Sequence, residues 1–474
     1  MILNYRRIAA FVCSLAVLAA CSGGAASQIA PSFQPARRNA TSQSIQHIVM
    51  IVQENRSFDN LFSTFPNADG QTYGYYLKNK KPTKIALKEL PLNGGLDINH
   101  DSRAYNYACD GKDTYPKTSC TMDSFNLEGI DGNNPAGTYP YQYINPKDIK
   151  QYWSLAKNFG LADHMFQTQG SGSFTAHQDL VAGGTMIDDA ACSSTKTYQP
   201  RAVIDYPSNF TNWGCGAAAG TTTSLLTQQG QYLLNGGPFP CLSYPTPTIV
   251  DLMDAKSVTW KYYAPPYDNF TKTDNGLWNA MAALKEVYSG PEWTTNVSMP
   301  ECNVFSDISG GTLPQVSWVI PEGQDSDHPG GKGTIDYGPR WVGAVVDAIG
   351  KSKYWSSTAI ILTWDDWGGF YDHEKPAFFD TMGGLGFRVP MVVISPYVPK
   401  GEVSDTQYEF GSIMKFVEDT FALGSMGTTD MRATSIGNMF DMTQRPRKFV
   451  KVAAPPSNTF CTSEKALREP VDRE

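Results

Sequence analysis

The chain has 474 residues, a net charge of −8, 41% hydrophobic residues and 18% charged residues. These values describe a globular protein long enough to bury a large core, and they exclude a disordered chain. A negative balance with no long basic block argues against nucleic acid as a partner.

The first segment is a targeting signal and stands outside the fold. Arg6 and Arg7 precede a short apolar run from Ile8 to Leu18, the pattern of an export signal. Leu18-Ala19-Ala20-Cys21 then has the form of a bacterial lipobox, so residues 1–20 are expected to be a lipoprotein signal peptide and Cys21 to carry lipid. Ser22 stands where an Asp would favour retention at the inner membrane, which points to the outer membrane or outer surface of the envelope. Residues 21–44, rich in Ser, Ala, Gly, Gln and Pro, read as the lipidated cysteine and a flexible tether. No other apolar stretch reaches the roughly 18–20 residues that span a bilayer. The expectation is an exported protein held to the membrane by its N-terminal lipid anchor.

Residues 45–474 show no internal repeat and no second composition regime, and are expected to form a single domain. The run from Ile45 to Val52 is largely apolar and rich in β-branched residues, as a central strand buried on both faces should be. Two long polar stretches, 65–145 and 186–245, read as insertions over the carboxyl edge of a sheet. Between them, Gln167 to His177 is a Gly/Ser-rich turn, after which Leu180 to Thr185 is expected to continue as a short helix whose N-terminus favours an anion. Thr248–Lys256 predicts a helix leading into a strand at Val258–Tyr263. Pro314–Ile320 predicts another strand, and Trp341–Ile349 a helix feeding a strand at Ala359–Trp364. Val389–Ile394 is a further buried run and Phe410–Phe421 an amphipathic helix. Alternation of this kind predicts an α/β fold, a central sheet flanked by helices with long loop insertions.

Beyond Cys13 and Cys21, seven cysteines remain, an odd number that leaves at least one thiol free. Short closures at Cys109–Cys120 and Cys192–Cys215 are expected for an oxidising compartment. No CxxC spacing supports a zinc–thiolate site.

Two acidic pairs carry most of the functional signal. Glu54-Asn55 follows the first strand and Asp365-Asp366 follows the Ala359–Trp364 strand. Ligands of open α/β sheets bind beyond the carboxyl ends of the strands, so both pairs are expected to open into one crevice. Three carboxylates and one amide oxygen there make a site for one divalent cation, with calcium, magnesium or manganese favoured by oxygen donors. A nucleophile is expected nearby, and Ser171, Ser173 and Thr175 are the candidates on residue type alone.

The motifs together resemble a known family. His47 to Asp59 (HIVMIVQENRSFD), Asn99-His100-Asp101, Leu161 to Phe166 (LADHMF), the Ser/Thr turn, Pro321-Glu322 through Asp327-His328-Pro329, and Thr363 to His373 (TWDDWGGFYDH) are similar to the bacterial phosphoesterase family that contains phospholipases C and acid phosphatases. The resemblance runs from about residue 45 to about residue 425. It implies an alkaline-phosphatase-like sheet, a metal held by Glu54, Asn55, Asp365 and Asp366, and a nucleophile at Ser173, where the family's usual proline is Gly172. It also implies that His100, Asp101 and His328 lie near the phosphate and leaving group, and that His373 supports the site. His47 reads as structural, and His164 and His177 stay unassigned. The implied substrate is a phosphomonoester or a phospholipid. A short segment after residue 425 leans toward the acid-phosphatase branch. The competing expectation, from a different class, is a catalytically silent envelope lipoprotein that keeps the fold as a binding module.

Overall fold

In the computed structural model, residues 44–460 are described, apart from 93–94, 116, 131–133, 189–199, 209–213, 267–277, 331–336, 381–382 and 457–459. Residues 1–43, where the signal peptide and most of the tether are expected, lie outside the described residues. Ile48 to Val52 are fully buried, as a strand flanked by helices on both faces requires. Each such side chain contributes about 1.5–3 kcal/mol by leaving water.

The main sheet has eight strands: β1 His47–Gln53, β2 Gly160–Ala162, β3 Trp260–Tyr263, β4 Val297–Ser298, β5 Val316–Val319, β6 Thr358–Trp364, β7 Met391–Ile394 and β8 Glu402–Ser404. Their spatial order is β4-β3-β5-β1-β6-β7-β2-β8. β1 lies between β5 and β6 and pairs in parallel with both, while β7 runs antiparallel to its neighbours β6 and β2. The register of β1 on β6 aligns His47 with Thr358 and Gln53 with Trp364, so the two strands end side by side.

Seven helices matter to the argument: α1 Phe58–Phe62, α2 Ser102–Asp110, α3 Lys150–Asn158, α4 Ser173–Ala182, α5 Ile249–Ala255, α6 Tyr337–Gly350 and α7 Phe410–Phe421. α5 starts where a capping box allows it, Thr248 and Asp251 each satisfying the other's backbone N–H. α7 has the predicted bounds. α6 begins four residues before the predicted Trp341, because Gly338 and Pro339 sit in its first turn, where proline's missing N–H costs nothing.

The 186–245 insertion is more ordered than a loop: it contains a four-stranded antiparallel sheet built from Met186–Asp188, Pro200–Ile204, Ser224–Thr227 and Tyr232–Leu233. Cys109 pairs with Cys120 as expected. The expected Cys192–Cys215 pair is corrected: Cys215 is bonded to Cys241, 26 positions on, because the chain folds back there through the small sheet. Cys192 lies outside the described residues. Among the described residues no helix is long and apolar enough to cross a membrane.

Candidate active site at the ends of two parallel strands

The register of β1 and β6 brings the two acidic pairs together. Asp365 N donates to Gln53 O at 3.0 Å, and Arg56 N donates to Asp366 O at 2.9 Å, so the sheet's ladder runs on into both turns. Asn55 takes the left-handed conformation (φ 57°), and its N–H reaches Asp365 Oδ1 at 3.1 Å. Asparagine tolerates this conformation better than most residues. Opposite it, Gly368 has φ 62°, and a Cβ there would collide with the Asn55 carbonyl oxygen. Glycine at 368 is thus demanded by the close approach of the two turns.

The Gly/Ser segment meets this centre end-on. Ser173 is the first residue of α4, so the helix N-terminus stands at Ser173, not at Leu180 as expected. Leu180 is instead internal to the helix, and Gly183 (φ 63°) ends it. Ser173 Oγ donates toward Asp366 Oδ2 at 3.1 Å and Glu54 Oε2 at 3.4 Å, and accepts from Asn55 Nδ2 at 3.3 Å. Asn55 Nδ2 also reaches Asp366 Oδ2 at 3.2 Å. The other two candidate hydroxyls face a different network. Ser171 Oγ accepts from Asp205 N at 3.0 Å and directs its proton between Thr175 Oγ1 at 3.0 Å and Asp205 Oδ1 at 3.2 Å.

Sequence reasoning left His177 unassigned, yet the structure brings it to the centre. It stands four residues after Ser173 on the same helix, and positions i and i+4 share a face. That spacing was the available signal. Its Nε2 lies 2.8 Å from Glu54 Oε1 and 3.7 Å from Asp365 Oδ2.

His100 closes the opposite side. Its Nδ1–H donates to Ile98 O at 2.6 Å, which leaves Nε2 to accept from Asn55 Nδ2 at 2.7 Å. His328 faces it with ring centres 6.2 Å apart and is stacked on Trp278 at 5.8 Å. The Nδ1–H of His328 is likewise held by a backbone carbonyl, that of Pro329 at 2.7 Å. Buried Arg56 fixes this turn by donating from Nε and Nη2 to the Asp327 carbonyl oxygen at 3.0 and 2.8 Å.

Asp101 and His373 each have partners outside the carboxylate cluster. Asp101 caps α2, its Oδ1 accepting from Ala104 N at 2.7 Å. His373 belongs to an ionic knot: its Nδ1 is 2.7 Å from Asp59 Oδ2 and its Nε2 is 3.2 Å from Asp69 Oδ1. Burial opposes charge on this ring, but the hydrogen bond and charge of Asp59 outweigh it and lift the pKa to about 9. Because the folded value lies above the unfolded one, His373 stabilises the fold fully below pH ~6.5, and that contribution fades as pH rises through ~9. Denaturant midpoints measured from pH 6 to 10 should fall across this window, and His373→Gln should flatten the decline. An unchanged slope in that variant would remove the assignment.

The residues present fit a cation. Glu54, His177 and Asp365 can each turn a ligand atom to within 4.8 Å of the others, and all three are buried. Asn55 Oδ1 and Asp365 Oδ2 are buried acceptors with no hydrogen-bond partner among the described residues. Such atoms cost roughly 1–3 kcal/mol each unless something satisfies them, and clustered carboxylates add mutual repulsion. His177 makes the donor set mixed nitrogen and oxygen, wider than the oxygen-only set expected.

Fold and site together define an α/β protein with a serine hydroxyl and a helix N-terminus set against a carboxylate cluster. The chain belongs to the phosphoesterase family, whose profile matches residues 45–424. It is 24% identical to the non-hemolytic phospholipase C of Pseudomonas aeruginosa over 450 residues, covering 87% of this chain and 59% of that one. It is 25% identical to phospholipase C A of Mycobacterium tuberculosis, covering 83% of this chain and 76% of that protein. Of the Pseudomonas protein, therefore, the chain spans less than two thirds. A solved structure of an alkaline phosphatase superfamily protein from Vibrio parahaemolyticus superposes with a TM-score of 0.31 at 13% identity, covering 61% of this chain and 65% of that one.

Proposed function

We propose that this chain is a metal-assisted phosphodiester hydrolase of the phospholipase C type with Ser173 as nucleophile. The observation that carries the reading is the Ser173 hydroxyl, at the head of α4 and within 3.1–3.4 Å of Asp366, Asn55 and Glu54. In the proposed reaction Ser173 Oγ attacks phosphorus, the bond to the leaving alkoxide breaks, and a phosphoserine ester forms that water then hydrolyses. The N-terminus of α4 and Asn55 Nδ2 face the developing charge on the phosphoryl oxygens. His328 Nε2, its other nitrogen fixed on Pro329 O, is suited to carry the proton to the leaving oxygen. A divalent cation held by Glu54, Asn55, His177, Asp365 and Asp366 would acidify the hydroxyl and offset charge on the phosphoryl group. The two relatives named above, both phospholipases C, favour a diester of a lipid headgroup over a monoester.

The test is turnover of p-nitrophenylphosphorylcholine against p-nitrophenyl phosphate. Preference for the choline diester is expected; preference for the monoester would make the enzyme acid-phosphatase-like, and turnover of neither would sink the reading. Asp365→Asn should lose the bound divalent metal, read by elemental analysis, and lower turnover on the order of 10²-fold. We further propose that the chain is exported and anchored through lipid on Cys21, on the strength of Leu18-Ala19-Ala20-Cys21. Mass spectrometry of the mature N-terminus checks it: any start other than a lipidated Cys21 removes the anchor.

A further inference from the structure

One segment near the active site departs from the chain's acidic character. Residues 71–88 contain Lys78, Lys80, Lys81, Lys84 and Lys88 and no Asp or Glu, in a chain whose net charge is −8. All five lysines are exposed. They sit on a β-hairpin whose strands, Tyr73–Lys78 and Lys81–Ala86, pair in register from Tyr73↔Ala86 to Lys78↔Lys81. Asn79 (φ 51°) and Lys80 (φ 62°) form the tip, the left-handed pair that a tight two-residue hairpin needs.

Alternation along the strands gives the hairpin two faces. Tyr76 and Ile85 turn inward, against the aromatic cluster that includes Trp367 and Tyr371. Between them Gly74 lies so close to the Tyr371 ring that a Cβ would collide with it. Tyr141 Oη donates to Tyr75 O at 2.7 Å, and Gln71 N, at the foot of the hairpin, donates to Asp59 Oδ1 at 2.8 Å. Tyr371 and Asp59 follow the metal-ligand pairs at the ends of β6 and β1 by a few residues, so the hairpin rises from the same edge of the sheet as the active site.

The outer face carries Tyr73, Tyr75 and Lys84, with the Lys84 ammonium 3.4 Å from the Tyr73 ring centre. Tyr75 is 41% exposed, and Leu127, which lies beside Leu77 at Gly111, is 38% exposed. An exposed tyrosine, Tyr75, opposite Lys84 and close to the lysines of the hairpin tip matches the chemistry of a lipid headgroup layer: the amphipathic ring settles at the interface, and the ammonium groups meet anionic lipid.

We infer that the 73–86 hairpin is an interfacial docking element that seats the protein on an anionic lipid surface beside its active site. The inference deepens the phospholipase C reading and rests on it: a lipid phosphodiester has to be reached at a membrane surface. The lysines supply long-range attraction and the exposed Tyr75 and Leu127 the short-range contact.

The experiment uses the full-length chain carrying Cys21→Ser, so that no lipid anchor contributes. Co-sedimentation is measured with vesicles of phosphatidylcholine containing one-third phosphatidylglycerol, and with phosphatidylcholine alone. Binding is expected for the anionic vesicles and should weaken with added salt. Replacing Lys78, Lys80, Lys81 and Lys84 together by Gln should cut the affinity on the order of 10²-fold, and Tyr75→Ser alone severalfold. Turnover of soluble p-nitrophenylphosphorylcholine should be unchanged in both variants. Absence of binding by the parent, or equal binding by the four-Gln variant, overturns the inference. Equally tight binding to heparin with no effect of Tyr75→Ser would also overturn it, by making the patch a general polyanion contact. Loss of soluble turnover in parent and variants alike would instead sink the phospholipase C reading, with vesicle binding still reporting on the surface separately.

Discussion

Ser173→Ala is expected to lower kcat on the choline diester on the order of 10⁴-fold or more while the enzyme still binds inorganic phosphate as an inhibitor. The substitution is structurally mild. Gly172, not Ser173, is the N-cap of α4, and no side chain caps this helix, so alanine as the first helical residue keeps the turn. What disappears is the Ser173 hydroxyl, which contacts Glu54, Asn55 and Asp366 together. Ser171→Ala and Thr175→Ala should cost far less, about tenfold at most, because these hydroxyls bond each other and Ser171 also bonds Asp205. Full activity in Ser173→Ala would move the nucleophile elsewhere and undo the mechanism.

A second large effect is expected on stability. Arg388 is fully buried and donates from Nε to Asp372 Oδ1 at 3.0 Å, from Nη1 to the carbonyl oxygens of Asp163 and Asp69 at 2.7 and 2.8 Å, and lies over the Phe58 ring at 4.3 Å. Asp59 and Asp372 are both fully buried beside it. Arg388→Ala takes from Asp372 the guanidinium bonded to it at 3.0 Å and leaves Asp59 with His373 alone, which should cost about 3–5 kcal/mol. Arg388→Lys should recover only part, since a single ammonium cannot reproduce the fork that spans Asp372 and two carbonyls. Chemical denaturation measures both. An unchanged midpoint in Arg388→Ala would show that the knot does not hold the turns after β1 and β6 in place.

The parts of the site that were legible in the sequence are those written in local pattern. A run of buried β-branched residues followed at once by Glu54-Asn55 or Asp365-Asp366 announces a strand and its carboxyl end, and β1 and β6 end within a residue of the expected positions. Helices with their own capping chemistry, α5 and α7, were legible for the same reason. Other features were not. Asp101 lies in a family motif, and only the position of α2 shows that it is also an N-cap. His373 follows Asp372 in a motif rich in site residues, but the chain has by then turned away from Ser173 toward Asp59 and Asp69. The partner of Cys215 depended on how the small insertion sheet folds back, which no spacing reveals.

By itself, then, the sequence determined the α/β class, the strand ends on which Glu54-Asn55 and Asp365-Asp366 sit, and the short list of hydroxyls from which the proposed nucleophile is drawn. Only the tertiary structure decided which hydroxyl faces the carboxylates, that His177 joins them, and that a lysine-rich hairpin stands beside the site. The reason is physical. Hydrophobic period and turn chemistry act over a few residues and are carried by the chain locally. The pairing of Gln53 with Trp364, the start of α4 at Ser173 instead of Leu180, and the packing of Gly74 on Tyr371 are set by contacts between residues far apart in sequence, where shifting the register by one residue turns every side chain to the opposite face.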